Sequence, residues 1–424
     1  MNTTESLTVA PWPGLVPRML GESVDLGRYR ADGGYGMLVS AGALLDQVAA
    51  AGLVGRGGAA FPMAVKLRAV RDAGPDPVVV ANGEEGEPAS VKDRWLLRHQ
   101  PHLVLDGVTL AARITGAARA YIYVSDPGSA ATMRTAVADA VAAELLDDLQ
   151  VRVHLVDPGY VAGEESAAVH ALNGGPAKPT DKPPRVFQEG VDGLPTLVSN
   201  VETLAQLAWL HRHGVQSYRS AGTAECPGTF LATVTGGDRP AALYELPFGV
   251  SVAEICRAHG VPPESVRGAL MGGYFAGLMG SDVTAVTLDH PSLQSRGSGL
   301  GCGAISLLTE ECPVAVAAAV LAYFDAENAG QCGSCFNGTA AMAAAAGALR
   351  DGAATSEDVQ RLARWSEVLR GRGACASLDA ATNIAASLLA TFPEEVQTHL
   401  DGGCAARPFR AQRPFAVQWR GEAQ

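Results

Sequence analysis

Aromatic side chains are scarce in this 424-residue chain, at 6% against an apolar fraction of 47%. Its bulk comes from small residues, with 49 glycines, which fits tight loops and closely packed Ala-rich helices. Basic charge is also short. Lys and Arg number 32 against 44 Asp and Glu, and no basic tract offsets the formal net charge of −12. That balance speaks against a nucleic-acid binder, which needs a positive face. Long apolar runs are missing too: the longest helical one, Pro313 to Phe324, is well short of the ~20 residues that span a bilayer. Met1 to Leu20 lacks a basic stretch followed by an apolar core, so no signal peptide is read there. Internal repeats and low-complexity linkers are absent. These absences predict a soluble, cytoplasmic protein. There the eight cysteines are expected as ligands, redox groups or core residues rather than disulfides.

The length suits two or three domains with packed cores. From about Leu38 to Ala224 the pattern is α/β. Helices are predicted at Leu44 to Ala51, Leu103 to Thr115 and Ser129 to Asp148, and strands at Pro77 to Ala81, Ala120 to Val124 and Val151 to Val156. Phe230 to Thr287 reads as short strands around one helix, Ser251 to His259, with Ser251 as N-cap. This is a small α+β domain of about ubiquitin-like β-grasp size. From Pro313 to Leu400 Ala-rich amphipathic runs at 313–327, 338–350, 356–370 and 379–390 predict a helical bundle.

The first chemical signal is the loop Gly52-Leu-Val-Gly55-Arg56-Gly57-Gly58-Ala-Ala-Phe61-Pro62. It contains a formal G-x-G-x-x-A, but a helix precedes it where a dinucleotide fingerprint needs a strand. What remains is a loop whose glycines let backbone N–H groups approach a phosphate. A helix starting after Pro62 would point its positive end there, with Arg56 and Lys66 as cationic donors. A plain turn between two helices is the alternative. The second signal is Asn82-Gly-Glu84-Glu85-Gly-Glu87-Pro88 at the carboxyl end of a predicted strand, where ligands of open α/β sheets sit. A ribityl chain, an isoalloxazine edge or a ribose would satisfy these carboxylates. So would Mg²⁺, and an exposed acidic turn is the third reading. Gly159-Tyr160-Val-Ala-Gly163-Glu164-Glu165-Ser166, then Lys182-Pro-Pro, then Ser199-Asn200-Val-Glu202-Thr203-Leu204 repeat the theme of Gly with paired Glu or Asn. Together they suit one large polar cofactor with an aromatic ring better than a metal.

These motifs, with Lys92-Asp93-Arg94, resemble in order the signatures of the flavoprotein subunit of NADH:quinone oxidoreductase and of the related diaphorase subunits of NAD-reducing hydrogenases and formate dehydrogenases. The resemblance runs from about residue 44 to about residue 400. It implies a Rossmann-like α/β FMN-binding domain (1–225), a ubiquitin-like β-grasp domain of SLBB type (226–300) and a helical bundle with a [4Fe–4S] cluster (301–424). Carried over, the FMN phosphate would sit on Gly55 to Gly58 with Arg56 and Lys66. Asn82, Glu84, Gly163, Glu164, Ser199, Asn200 and Thr203 would hold the ribityl chain and ring. Glu85 and Glu165 would face NAD(H) or NADP(H), with Phe61, Tyr160 and Lys182 nearby. Hydride would reach the flavin and single electrons would pass through the cluster to a protein acceptor, a ferredoxin or a thioredoxin-like [2Fe–2S] subunit. No catalytic acid or base is implied. The soluble chain would work alone or peripheral to a membrane complex. A vestigial nucleotide site fed by ferredoxin, or a non-redox docking relative, is the other reading.

The sequence departs from the family at two places. Cys332, Cys335 and Cys375 match three cluster ligands, but Ala329 stands where the first belongs, and a [4Fe–4S] cluster normally takes four thiolates. A strand around Ala304 to Leu308 of about 20 Å and a helix Pro313 to Asn328 of about 24 Å would run antiparallel. That brings Cys302 close to Ala329 and leaves Cys312 at the opposite end. Cys302 is therefore the expected fourth ligand, with Cys226, Cys256 and Cys404 as buried thiols or tail residues. The second departure concerns the family's adenine-stacking phenylalanines. Phe61 keeps one, whereas Ala69 and Arg185 occupy the other two positions. Arg185 would then stack on adenine or pair a 2′-phosphate, unless Phe187 fills the gap.

Overall fold

A computed structural model describes residues 7–37, 40–404 and 412–419. The first six residues of the segment read for a signal, and Leu38 at the start of the α/β pattern, lie outside them.

The N-terminal strand β1 (Thr8–Ala10) belongs to the second of two sheets. The first sheet is built from β2 (Val78–Asn82), β3 (Arg119–Val124), β4 (Gln150–Leu155) and β5 (Thr196–Asn200), in the order β4-β3-β2-β5 with every pairing parallel. Buried on both faces, β2 is a continuous run of valines rather than an alternating pattern. Two helices, Pro101–Thr115 and Val201–Arg219, cover one side. They meet at Gly107, where a Cβ would lie 2.0 Å from the Leu204 carbonyl oxygen, so only glycine permits the approach. The helix predicted over Ser129 to Asp148 is shorter, Pro127–Ala142. Asp126 caps it, and it stops before Glu144, which takes a positive φ.

The second sheet contains β1, β6 (Thr229–Gly236), β7 (Arg239–Pro247), β8 (Gly268–Met271), β9 (Leu278–Gly280) and β10 (Ala304–Leu308), in the order β1-β7-β6-β10-β8-β9. β10 runs parallel to β6 in the middle of this sheet, so residues 304–308 belong here and not with the helices that follow. The helix Val252–Ala258 packs beside it. Its N-terminus is a full capping box, Ser251 with Glu254, as the sequence predicts. The third unit is helical: Pro313–Glu327, Gly333–Arg350, Ser356–Val368, Ser377–Thr391 and Pro393–Leu400 around an Ala- and Leu-rich core. Among the described residues no helix is long and apolar enough to cross a membrane.

Candidate functional site

The strand order of the first sheet opens a crevice. β3 and β4 lie to one side of β2 and β5 lies to the other, so the carboxyl ends of β2 and β5 flank a topological switch point. Ligands of open parallel sheets bind in such places. Asn82 and Asn200 are register partners there. Asn82 Nδ2 donates to the Gly163 carbonyl at 2.8 Å, which ties the loop after β2 to the loop after β4. Asn200 caps the helix Val201–Arg219 by accepting from the Glu202 N–H at 3.0 Å, and it donates to Asp93 at 2.7 Å. Behind it Lys92 is buried, 2.7 Å from Asp93 and 2.9 Å from Glu202. Burial alone would lower the Lys92 pKa, but these two carboxylates raise it, so the ammonium stays charged.

The glycine loop lies over this crevice. Val54 bridges Pro62, and the Gly55 N–H donates to the Phe61 carbonyl at 2.9 Å, closing the loop. Gly57 faces Asn200, and Gly58 takes a φ of +118° with the Gly301 backbone opposite. The helix Met63–Ala73 starts next without a side-chain cap. Lys66 in its opening turn lies 3.5 Å from Glu165, and Glu165 also faces Lys182 at 3.9 Å. These three side chains remain partly exposed. Ser199 is buried against Met63, its Oγ 3.8 Å from the thioether sulfur. Glu84 is buried too. Its Oε1 accepts from the Gly159 N–H at 3.3 Å, whereas Oε2 has no hydrogen-bond partner within the chain. The Ser125 hydroxyl lies near this carboxyl without making a bond of normal geometry to Oε2. Burial holds the Glu84 pKa above the usual range.

Three expected ligands have other tasks. The Arg56 guanidinium turns away from the loop's open side. It donates to the carbonyls of Thr229 (3.0 and 3.1 Å) and Val54 (2.6 Å) and to the Tyr218 hydroxyl (3.1 Å), and it stacks 4.9 Å above Phe248. Its own N–H is held by Thr203 Oγ1 at 2.9 Å. Arg56 thus anchors the loop on the second sheet, with most of its guanidinium N–H groups engaged within the chain. Glu85 points inward, accepting from Ser90 Oγ (2.7 Å), the N–H groups of Asp93 and Arg94 (3.1 and 3.2 Å) and Arg94 Nε (3.1 Å). Glu164 caps the helix Glu165–Leu172 through the N–H groups of Ser166 and Ala167 and the Ser166 hydroxyl, and Lys182 donates to it at 2.6 Å. In each case the side chain has found hydrogen-bond partners within the chain, acceptors for Arg56 and donors for Glu85 and Glu164.

Tyr160 is packed against the helical unit, its ring 5.7 Å from Tyr323 and 5.2 Å from Phe324. Its pKa is raised by burial first, then by Glu87, Cys302, Tyr323 and Cys375, so its hydroxyl is within electrostatic reach of two candidate cluster thiols. Cys332 and Cys375 lie near Cys335, whose thiol is pushed up to about 11, chiefly by burial. Cys332 Sγ also accepts from the Ala374 N–H at 3.4 Å. Cys302 approaches from the second sheet, 3.9 Å from the Gly272 carbonyl, on the same side as the C-terminal end of the helix Pro313–Glu327. Cys312 caps the opposite end of that helix.

Residues 48–209 match the family described as the Nuo51 FMN-binding domain, and residues 315–399 match the NADH-ubiquinone oxidoreductase-F iron-sulfur binding region. One NADH-quinone oxidoreductase F-subunit of Rhizobium meliloti (strain 1021) is 30% identical over 397 residues, covering 89% of this chain and 94% of the relative. The corresponding F-subunit of Aquifex aeolicus (strain VF5) is 30% identical over 387 residues, covering 87% and 89%. The chain belongs to the F-subunit family of NADH-quinone oxidoreductases. A solved structure of NAD+-reducing [NiFe]-hydrogenase in the H2-reduced state superposes with a TM-score of 0.80 at 30% identity over 87% of this chain. The chain spans 64% of that hydrogenase chain.

The three positions compared with the family's adenine-stacking phenylalanines hold a single aromatic residue, Phe61, beside Ala69 and Arg185. Phe61 is 51% exposed, Arg185 is exposed, and Phe187 is packed against the α/β core. The sequence motifs include Lys92, Asp93 and Glu202 but not the buried group the three form, and sequence reasoning missed the cluster of Cys312, His399 and Cys404. Lys92-Asp93 lies beside the acidic motif, and an adjacent opposite-charge pair next to a ligand loop was a usable signal. Nothing local marks His399 or Cys404.

Proposed function

We propose that this family member is a flavin-dependent NAD(P)H oxidoreductase that holds FMN in the switch-point crevice and a [4Fe–4S] cluster at the helical unit, and that it delivers electrons to another protein. The observation that carries the flavin reading is the pairing of an exposed glycine loop with a buried, unpaired Glu84 Oε2 across one crevice. Bound FMN would supply hydride acceptance and release of single electrons. The chain's own residues bind, orient and exclude water. Backbone N–H groups of Gly57 and Gly58 and the Lys66 ammonium suit a phosphate. Glu84 Oε2 suits a hydroxyl or N–H donor of the ribityl chain or ring. Asn82, Asn200, Thr203 and Gly163 hold the loops in place, while Ser199 lines the crevice floor. Glu165 and Lys182 suit the nucleotide's polar groups. Tyr160, Tyr323 and Phe324, with Tyr274 packed edge-on against the last two, fill the space toward the cysteines and keep water out of the electron path. Cys302, Cys332, Cys335 and Cys375 are the four thiols we assign to the cluster.

In this reading the FMN unit lies within residues 1–225 apart from β1, the second sheet, which takes in β1, is a β-grasp domain of SLBB type, and the helices after it carry the cluster. The acceptor is a ferredoxin or a thioredoxin-like [2Fe–2S] subunit, and the protein works in the cytoplasm, alone or peripheral to a membrane complex. The absorbance spectrum of the purified protein tests the reading. Flavin bands on a broad iron–sulfur absorbance support it, and a colourless protein favours a docking role. Stopped-flow bleaching with NADH, NADPH and reduced ferredoxin then identifies the donor.

A further inference from the structure

The N-terminal end of the helix Pro313–Glu327 gathers three metal-type ligands that electron transfer does not use. Cys312 caps this helix, its Sγ accepting from the Ala315 N–H at 3.5 Å. His399, from the helix Pro393–Leu400, brings Nε2 to 3.1 Å from that sulfur, and both residues are buried. Cys404 completes the group from the exposed tail, and the three ligand atoms all lie within 4.8 Å of one another. In a tetrahedral zinc site, with Zn–S about 2.3 Å and Zn–N about 2.0 Å, ligand atoms lie roughly 3.5–3.8 Å apart. The observed separations, from 3.1 Å up to at most 4.8 Å, bracket that spacing.

A second observation concerns the histidine's proton. Nδ1 of His399 lies 3.1 Å from the Leu349 carbonyl, which can only accept. The proton is therefore on Nδ1, and Nε2 presents its lone pair toward Cys312. Metal-bound imidazoles are oriented by this kind of outer hydrogen bond. Two sulfurs and an imidazole are soft ligands that favour zinc over magnesium or calcium. The group is distinct from the cluster cysteines: it sits at the far end of a 15-residue helix, about 22 Å from the end that adjoins Tyr160.

The geometry points to a zinc site formed by Cys312, His399 and Cys404, with its fourth position open to water. Binding releases the two thiol protons to solvent and involves no oxidation. The ion fastens the tail at Cys404 to the start of one helix and the end of another, a structural clamp on the bundle.

Zinc and iron measured by mass spectrometry on the full chain, expressed with added zinc, together with zinc-edge X-ray absorption, test this. The expected result is one zinc per chain with two sulfurs and an imidazole nitrogen in its shell. Cys404→Ser, an exposed change that leaves the core intact, and His399→Gln should each lower zinc affinity about tenfold or more while iron and flavin contents hold. Three outcomes overturn the proposal: wild-type protein that carries flavin but no zinc, zinc affinity unchanged in either variant, or a Cys312–Cys404 disulfide in the purified wild type.

Discussion

Gly57 packs tightly against Asn200: a Cβ added to Gly57 would lie 3.1 Å from the Asn200 Cβ, so one of them would have to shift by a few tenths of an ångström. Asn200 cannot yield easily, because it caps the helix Val201–Arg219 and also holds Asp93. Gly57→Val should therefore push the loop off the crevice and lower FMN affinity at least ~100-fold, about 2.7 kcal/mol. Gly57→Ala should fall between. Flavin content after gel filtration checks this, with circular dichroism to confirm the fold. Stoichiometric flavin in the valine variant would show that the phosphate lies elsewhere.

Iron and sulfide should vanish in Cys302→Ala and stay in Cys312→Ala, because Cys302 shares the Tyr160 neighbourhood with Cys375 while Cys312 is at the other end of its helix. The opposite pattern would remove Cys302 from the ligand set.

At the proposed nucleotide site one phenylalanine, Phe61, is exposed. Stacking on a base contributes about 1–3 kcal/mol per platform, so the absence of two should weaken NADH binding by orders of magnitude. If Arg185 pairs a 2′-phosphate, Arg185→Ala should raise KM for NADPH about tenfold and leave NADH unchanged. Reduction by ferredoxin but by neither nucleotide at millimolar concentration would make the nucleotide site vestigial.

Asp126 links acidity to stability. Burial would raise its pKa, but the Arg98 and Ser129 hydrogen bonds prevail and hold it below 3.8. A carboxyl lowered by folding stabilises above its unfolded pKa and stops doing so as pH falls through the folded value. Asp126→Asn keeps an oxygen that can cap the helix but loses the charge paired with Arg98, so it should cost up to about 1 kcal/mol near neutral pH, and the gap to wild type should close as pH falls below 3.8. Urea unfolding of both proteins across that range measures it. A gap that persists in acid would mean that the charge is not what matters.

The sequence by itself determined most of the backbone. Strand β10 and the helix Pro313–Glu327 fall where apolar runs and Pro313 put them, and the Ser251–Glu254 box starts its helix as written. Glycines at strand-to-helix junctions marked the crevice because positive φ and close approach are local requirements. Side-chain direction was decided only in three dimensions. Arg56, Glu85 and Glu164 carry the right charges in the right motifs, yet each turns to donors or acceptors that folding brings near, because a charge leaving water must be paired at once. The Cys312–His399–Cys404 group depends entirely on tertiary structure. Its members come from a helix start, a helix end and a tail, and only the packing of the bundle makes them neighbours.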